Sequence, residues 1–249
     1  MKRCLSVFIV IVMLVGLVSV TPISAYTVKT CGDYDYSFTW DDNVSISKYK
    51  GSDSTVTIPS ELDGVTVTEV SDFAFNGNTD IKEVIIPDTV TTLGIASFCD
   101  CSNLETISGG KNVTMIDGSC FSGTKWLEDQ FKTSSFAVFN NMLIKVDKAK
   151  IDKDVVIPEN IKSIGNDAFY KTDIESISFP EGLTVIGARA FDKCEKLKVL
   201  NLPESIEKIY YSAFSNCISL EDITIPKLYK SEPRHDWRRV RICLFIRLS

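Results

Sequence analysis

Histidine, the side chain best suited to move protons near neutral pH, occurs once in the chain, as His235. A Ser-His-Asp or Cys-His nucleophile system places an imidazole beside the nucleophile, and a histidine-rich zinc site uses several. Residues 26–226 hold no histidine and can build neither. The eight cysteines are the next candidates. Cys101, Cys194 and Cys217 occupy one place in a recurring Phe-x-x-Cys-x-x-Leu pattern, so they read as small buried groups in one column rather than as nucleophiles or metal ligands. Cys31, Cys99, Cys101 and Cys120 could pair in an oxidising compartment, but their spacing selects no partner. Carboxylates such as Asp33, Asp35, Asp41, Asp42, Asp147, Asp152 and Asp154 could in principle act in pairs. Glycosidases set such pairs about 5 to 9.5 Å apart in a cleft, whereas these lie on turns and charged faces, the pattern of a solvated surface. The sequence contains no phosphate-cradling glycine loop, dinucleotide fingerprint or calcium loop. The expectation is a protein without catalytic residues, metal ligands or cofactor.

What positions these residues is an internal repeat. Ala74-Phe75, Ser97-Phe98, Cys120-Phe121, Ala168-Phe169, Ala190-Phe191 and Ala213-Phe214 follow one another at intervals of 23, 23, 48, 22 and 23 residues. A second marker, Ile-Pro or its equivalent, ends at Pro59, Pro87, Pro158, Pro180, Pro203 and Pro226, and its last four copies keep the same period. The clearest unit runs Leu197, Leu200, Leu202, Pro203, Ile206, Ile209, Ala213, Phe214 and Cys217. Alternation in Leu200-Asn201-Leu202 and Ile223-Thr224-Ile225 is the period of a short strand that proline ends. A second extended piece follows, and the Ala-Phe segment turns the chain back with phenylalanine inward. One such unit cannot bury its apolar face, whereas stacked units form parallel strands over a continuous core. The fold expected is a repeat solenoid of about six coils over residues 56–226.

These units resemble the BspA-like, or Treponema-type, leucine-rich repeat proteins, over about residues 36–226. The resemblance is specific because Ile-Pro, Val-x-x-Ile and Ala-Phe-x-x-Cys recur in order. It implies a right-handed leucine-rich-repeat solenoid in an exported protein of the cell surface, used for adhesion or for binding other molecules.

The departures from the repeat are equally informative. Tyr36–Trp40 and Val44–Ser47 alternate on either side of Asp41-Asp42-Asn43 and read as a β-hairpin within residues 26–55 that caps the stack. Leu62-Asp63-Gly64-Val65-Thr66-Val67 inserts a small hairpin into the first coil. Between Phe121 and Phe169 the repeat is interrupted at 128–154, with a turn at Asn140-Asn141; this reads as one irregular coil, with Trp126, Phe136, Phe139 and Met142 in its core. After Pro226 the pattern fails. Residues 227–249 hold five of the seven arginines, and two readings stay open: a truncated array, or a basic end that touches a membrane or wall polymer.

Lys2 and Arg3, the apolar run Cys4–Val20 and the exit Ile23-Ser24-Ala25 form a secretory leader expected to be cleaved after residue 25, leaving no stable membrane span. The net charge of −6 is unevenly spread. Residues 1–25 carry +2, and residues 227–249 carry seven bases against two acids, which leaves −13 on residues 26–226. So acidic a body disfavours nucleic acid as a partner. Asn43-Val44-Ser45 and Asn112-Val113-Thr114 match the glycosylation acceptor pattern, which matters only in a eukaryotic secretory pathway.

The side chains that alternate with the buried ones along the first strand of each coil form the candidate ligand face. They are Glu83 and Ile85, Thr106 and Ser108, Ser176 and Ser178, Val199 and Asn201, Asp222 and Thr224. As one ladder of small, mostly polar groups they can hydrogen-bond an extended extracellular protein or glycan. The leading reading is therefore a secreted or surface binding protein; the alternatives are the noncatalytic targeting portion of a truncated secreted enzyme, and a passive spacer.

Overall fold

The computed structural model describes residues 27–225 and 247–248. The leader, His235 and most of the basic tail lie outside these residues. The chain winds into a solenoid of parallel strands, as the period requires. Strands β1 (Lys29–Cys31), β2 (Tyr34–Phe38) and β3 (Val44–Tyr49) form an antiparallel meander. β3 then pairs in parallel with β6 (Val65–Val70), so the expected hairpin covers the first coil. The expected excursion at Gly64 is β5 (Glu61–Leu62), antiparallel to β6.

Each coil contributes two strands. The first strands are β4 (Thr55–Thr57), β7 (Glu83–Ile86) and β9 (Thr106–Gly109) in the N-terminal half. In the C-terminal half they are β13 (Asp154–Val156), β15 (Ser176–Ser178), β17 (Val199–Asn201) and β19 (Asp222–Ile225). The backbone of β20 (Arg247–Leu248) pairs in parallel with β19. Proline ends these ladders: Ile58 and Ile157 still donate to the next coil, at 3.0 Å each, but Pro59 and Pro158 have no N–H to give. The carbonyls of Pro87, Pro158, Pro180 and Pro203 instead accept from the third residue on, closing the same turn in each coil.

The second strands follow that turn. They are β8 (Thr92–Leu93) and β10 (Met115–Ile116), stacked on β6, and later β14 (Ser163–Ile164), β16 (Val185–Ile186) and β18 (Lys208–Ile209). The backbone approach between coils is close where glycine recurs: a Cβ on Gly187 would lie 2.7 Å from the backbone nitrogen of Asn166.

The chain then returns through the phenylalanine turn. Two residues before or after the aromatic the backbone is left-handed, as at Asp167, Arg189 and Ser212 before it and at Gly77, Gly123, Lys171, Lys193 and Asn216 after it. The geometry favours glycine and costs other residues roughly 1–2 kcal/mol each. Inside, the rings form a column. Tyr49 of the cap stacks on Phe75 at 5.1 Å, Phe75 on Phe98 at 4.8 Å and Phe98 on Phe121 at 5.7 Å. A second column runs Phe169–Phe191–Phe214 at 4.8 and 5.4 Å.

The interruption between the columns contains an element that the sequence reading missed. After Phe121, Thr124 takes the place of the repeat cysteine and caps α1 (Lys125–Thr133), its hydroxyl accepting from the Leu127 amide at 3.2 Å. A hairpin follows at the expected turn, as β11 (Phe136–Phe139) and β12 (Met142–Val146), turning at the left-handed Asn140. β12 pairs in parallel with β14 and acts as the missing rung. Its side chains divide the core: Met142 and Ile144 pack with the N-terminal cluster, Leu143 and Val146 with the C-terminal one. Trp126, Phe139 and Met142 are buried as expected, and Phe136 packs at the margin of the second cluster.

Candidate binding face

The alternation of the first strands buries one residue in two. Val56, Val84, Val155, Ile177 and Leu200 point into the core, and their neighbours line the outside. Parallel register sets those neighbours side by side. Glu83 pairs with Thr106 and Ile85 with Ser108. Ser176 pairs with Val199, which pairs with Asp222, and Asn201 pairs with Thr224. Thr106, Ser108, Ser178, Val199 and Asn201 are exposed, while Glu83, Ile85 and Ser176 are half-buried.

The single ladder expected from the repeat is not what forms. The face is split into one sheet of β4, β7 and β9 and another of β13, β15, β17, β19 and β20. The cause is the interruption, since α1 and β11 occupy the stretch of chain where a first strand of the intervening coil would stand. Glu83, Ile85, Thr106 and Ser108 therefore belong to one row pair, and Ser176, Ser178, Val199, Asn201, Asp222 and Thr224 to another.

Four members of these rows were missed. Thr55 and Thr57 extend the first pair, and Asp154 and Val156 extend the second. Their signal was present in Thr57-Ile58-Pro59 and Val156-Ile157-Pro158, the same strand-ending marker that located the others. Thr55 donates to Glu83 Oε2 at 3.3 Å, and Ser176 donates to Asp154 Oδ1 at 2.6 Å. Val156 and Val199 add apolar surface, 72% and 44% exposed.

Beside the second row pair runs a charged border. Glu175 lies between Lys153, at 3.1 Å, and Lys198, at 2.8 Å. Hydrogen bonds from Lys198 and Lys153 pull its carboxyl down to about 2, so it is ionised throughout the ordinary pH range. At the first sheet the corresponding Glu105 is paired with Lys125 of α1 at 2.6 Å. The arrangement is an array of hydroxyls, an amide and aliphatic groups beside paired charges.

The other candidate groups sit elsewhere. Cys99, Cys101, Cys120, Cys194 and Cys217 are free thiols. Cys101, Cys194 and Cys217 are buried, Cys101 in the N-terminal cluster and the other two in the C-terminal one, so the expected single column is interrupted, and they are more than apolar filler. Each thiol donates at 3.1 Å to the carbonyl of the phenylalanine one coil earlier, Phe75, Phe169 and Phe191 respectively. Burial pushes the thiols of Cys101 and Cys194 up to about 11 and that of Cys217 up to about 12. A thiol so raised is held away from the thiolate that nucleophilic attack requires. Asp35 is bound by Lys50 and Thr30, each at 2.6 Å, and Asp41 is held by Thr39 and Asn43, so both are engaged in the cap. No group of three or more His, Cys, Asp or Glu side chains able to hold a metal ion occurs among the described residues.

Comparison with known proteins matches the BspA type leucine-rich repeat region, in six copies, to residues 21–148 and 148–232. Among solved structures, the chain is similar to a Treponema pallidum leucine-rich repeat protein at 25% identity, covering 78% of this chain and 69% of that one, with a TM-score of 0.34. It is similar to a leucine-rich cell surface protein of Faecalibacterium prausnitzii at 19% identity, covering 90% and 95%, with a TM-score of 0.38. A Bacteroides ovatus leucine-rich repeat protein shares 23% identity over 81% of this chain and 54% of its own, with a TM-score of 0.38. No curated protein sequence matches significantly.

Proposed function

The chain belongs to the BspA-type leucine-rich repeat family, and from that premise we propose that it is an exported, surface-displayed or secreted binding protein without catalytic activity, serving adhesion to an extracellular protein or glycan. The observation that carries this reading is the pair of exposed strand rows. Their side chains project from a backbone held by parallel pairing, on both sides at β15 and β17 and on one side at β9, so a partner meets Thr106, Ser108, Ser178, Val199 and Asn201 with little ordering left to be done. The leader expected at residues 1–25 supports export. Among the described residues no helix is long and apolar enough to cross a membrane.

Two measurements test this. Protease added to intact cells expressing the full chain should degrade it while sparing a cytosolic marker; protection equal to the marker's would end the surface reading for retained protein, and absence from the medium as well would end export. Arrays of extracellular matrix proteins and glycans probed with the purified protein should yield a retained partner whose capture falls in Ser178→Arg/Asn201→Arg. Turnover of an array substrate by the protein would overturn the noncatalytic reading.

A further inference from the structure

The opposite, turn side of the solenoid carries a feature that the strand face does not explain. Tyr170, the residue after Phe169, is surrounded by cations: Lys148 Nζ at 5.6 Å from its ring centroid, Lys171 Nζ at 5.2 Å, the Arg189 guanidinium carbon at 5.1 Å and Lys193 Nζ at 6.0 Å. Arg189 is the only arginine between residues 26 and 226, a segment of net charge −13, so the gathering runs against the charge of the body.

Nearby acids neutralise Arg189 but not the three lysines. Arg189 takes Asp167 at 3.2 Å and Asp192 at 3.5 Å, Asp147 lies with Lys150 at 3.7 Å, and Asp173 lies with Lys196 at 2.9 Å. Lys148, Lys171 and Lys193 make no ion pair with any described carboxylate, although like charges this close repel.

The backbone adds an independent observation. Lys171, Arg189 and Lys193 have φ of 56°, 55° and 62°. Lys171 and Lys193 occupy the position two after the phenylalanine, where the other coils place Gly77, Asp100, Gly123 and Asn216, residue types that tolerate the left-handed region. Long cationic side chains there accept strain and repulsion that the face of Tyr170, but no carboxylate among the described residues, offsets, which fits positions kept for contact with something else.

We propose that Lys148, Lys171 and Lys193, gathered with Arg189 around Tyr170, form a second binding site on the turn side that takes an acidic polysaccharide. Lys171 and Lys193 are one coil apart, Lys171 N donating to Asp192 O at 3.0 Å, and Lys193 N donates in turn to Ser215 O of the following coil at 2.8 Å. Adjacent coils are about 4.8 Å apart, a step comparable with the advance of one sugar residue along a chain. Successive sulfate or carboxylate groups can thus meet successive lysines, while Tyr170 offers a flat apolar flank. A nucleic acid would bring a denser line of charge against the acidic body.

The test is titration of the full chain with three probes near physiological ionic strength, their lengths chosen to match in charge: a sulfated heparin-type oligosaccharide, an oligogalacturonate and a single-stranded oligonucleotide. The chain should bind a saccharide, and whichever of the two binds more tightly identifies the anion. Lys148→Gln/Lys171→Asn/Lys193→Asn should weaken it by about tenfold or more. Asparagine already stands at the equivalent Asn216, so the left-handed turns are kept. The charge-matched control Lys82→Gln/Lys111→Gln/Lys162→Gln should stay within about twofold of the parent, and the bases of residues 227–249 are common to all three proteins. Should the triple variant not fold, Lys148→Gln alone, on an exposed turn, should weaken binding by about threefold. Failure to bind either saccharide, equal loss in both triple variants, an unchanged affinity in Lys148→Gln when it must stand in, or oligonucleotide bound as tightly as saccharide would overturn the proposal.

Discussion

Replacing Phe191 by alanine probes the device that holds the C-terminal coils together. The side chain is fully buried. It stacks on Phe169 at 4.8 Å and 16° and on Phe214 at 5.4 Å and 12°, and Phe179 meets its ring at 6.0 Å and 81°. Phenylalanine to alanine in a packed core costs about 3–5 kcal/mol, and a ring stacked on both faces belongs in the upper part of that range, about 4–5 kcal/mol. For a chain of this size each kcal/mol lowers Tm by about 2–4 °C, so the melting temperature should fall by about 8–20 °C. Phe214→Ala, whose ring stacks on Phe191 alone among the described residues, should cost less, about 3 kcal/mol. Because stability in a solenoid is largely a matter of nearest neighbours, amide exchange should accelerate in β15–β18 and change little in β7–β9, across the divided core. Circular dichroism melts and hydrogen exchange measure both effects. Equal shifts for the two variants, or a shift for Phe191→Ala within error of zero, would refute the column.

The buried thiols make stability fall in alkali. The thiols of Cys101, Cys194 and Cys217 are raised from 9.0 to about 11, 11 and 12, so the unfolded chain loses those protons first. Their contribution is complete below pH 9 and is lost as pH rises towards 11–12, at about 1.4 kcal/mol per pH unit for each group, an upper bound that incomplete burial reduces. Urea midpoints measured from pH 8.5 to 11 should therefore fall more steeply for the parent than for Cys101→Ala/Cys194→Ala/Cys217→Ala. For Glu175, carbon-detected NMR should give a titration midpoint near 2 that returns towards 4.5 in Lys153→Gln/Lys198→Gln; because the folded value is the lower one, its contribution is present above pH 4.5 and lost as pH falls towards 2. Thr124→Ala removes both the cap of α1 and the hydroxyl that donates to Phe121 O at 2.7 Å, and should cost about 1–2 kcal/mol in denaturant melts.

Much of this architecture was legible because two markers share one period. Phe75 to Phe214 and Pro59 to Pro203 fix which residues recur, and recurrence fixes both core and face. The caps were legible as alternation broken by turn residues, Asp41-Asp42-Asn43 and Gly64. Helix α1 was not. It is short, and Phe121, Thr124 and Leu127 fall on the Phe-x-x-Cys-x-x-Leu spacing, so the segment reads as one more repeat until the strand fails to appear. Having missed the helix, the reading joined the face into one ladder and left out Thr55, Thr57, Asp154 and Val156. The cysteines were placed correctly as buried, but their bonds to the phenylalanine carbonyls depend on the angle between coils, which spacing does not encode. The cations around Tyr170 were invisible for the same reason: Lys148 and Lys193 are 45 positions apart and meet only because the insert returns to the turn side.

The central claim is that the exposed strand rows bind a partner. Its most direct test is the dissociation constant of the array-identified partner for the parent, for Ser178→Arg/Asn201→Arg and for Tyr211→Arg, which changes an exposed residue on the turn side. Arginine at 178 and 201 leaves the buried Ile177 and Leu200 in place, so Tm should hold within about 2 °C while affinity falls at least about tenfold. Tyr211→Arg should bind like the parent. Unchanged affinity in the strand-row variant, with its Tm intact, would contradict the claim and place binding elsewhere on the molecule.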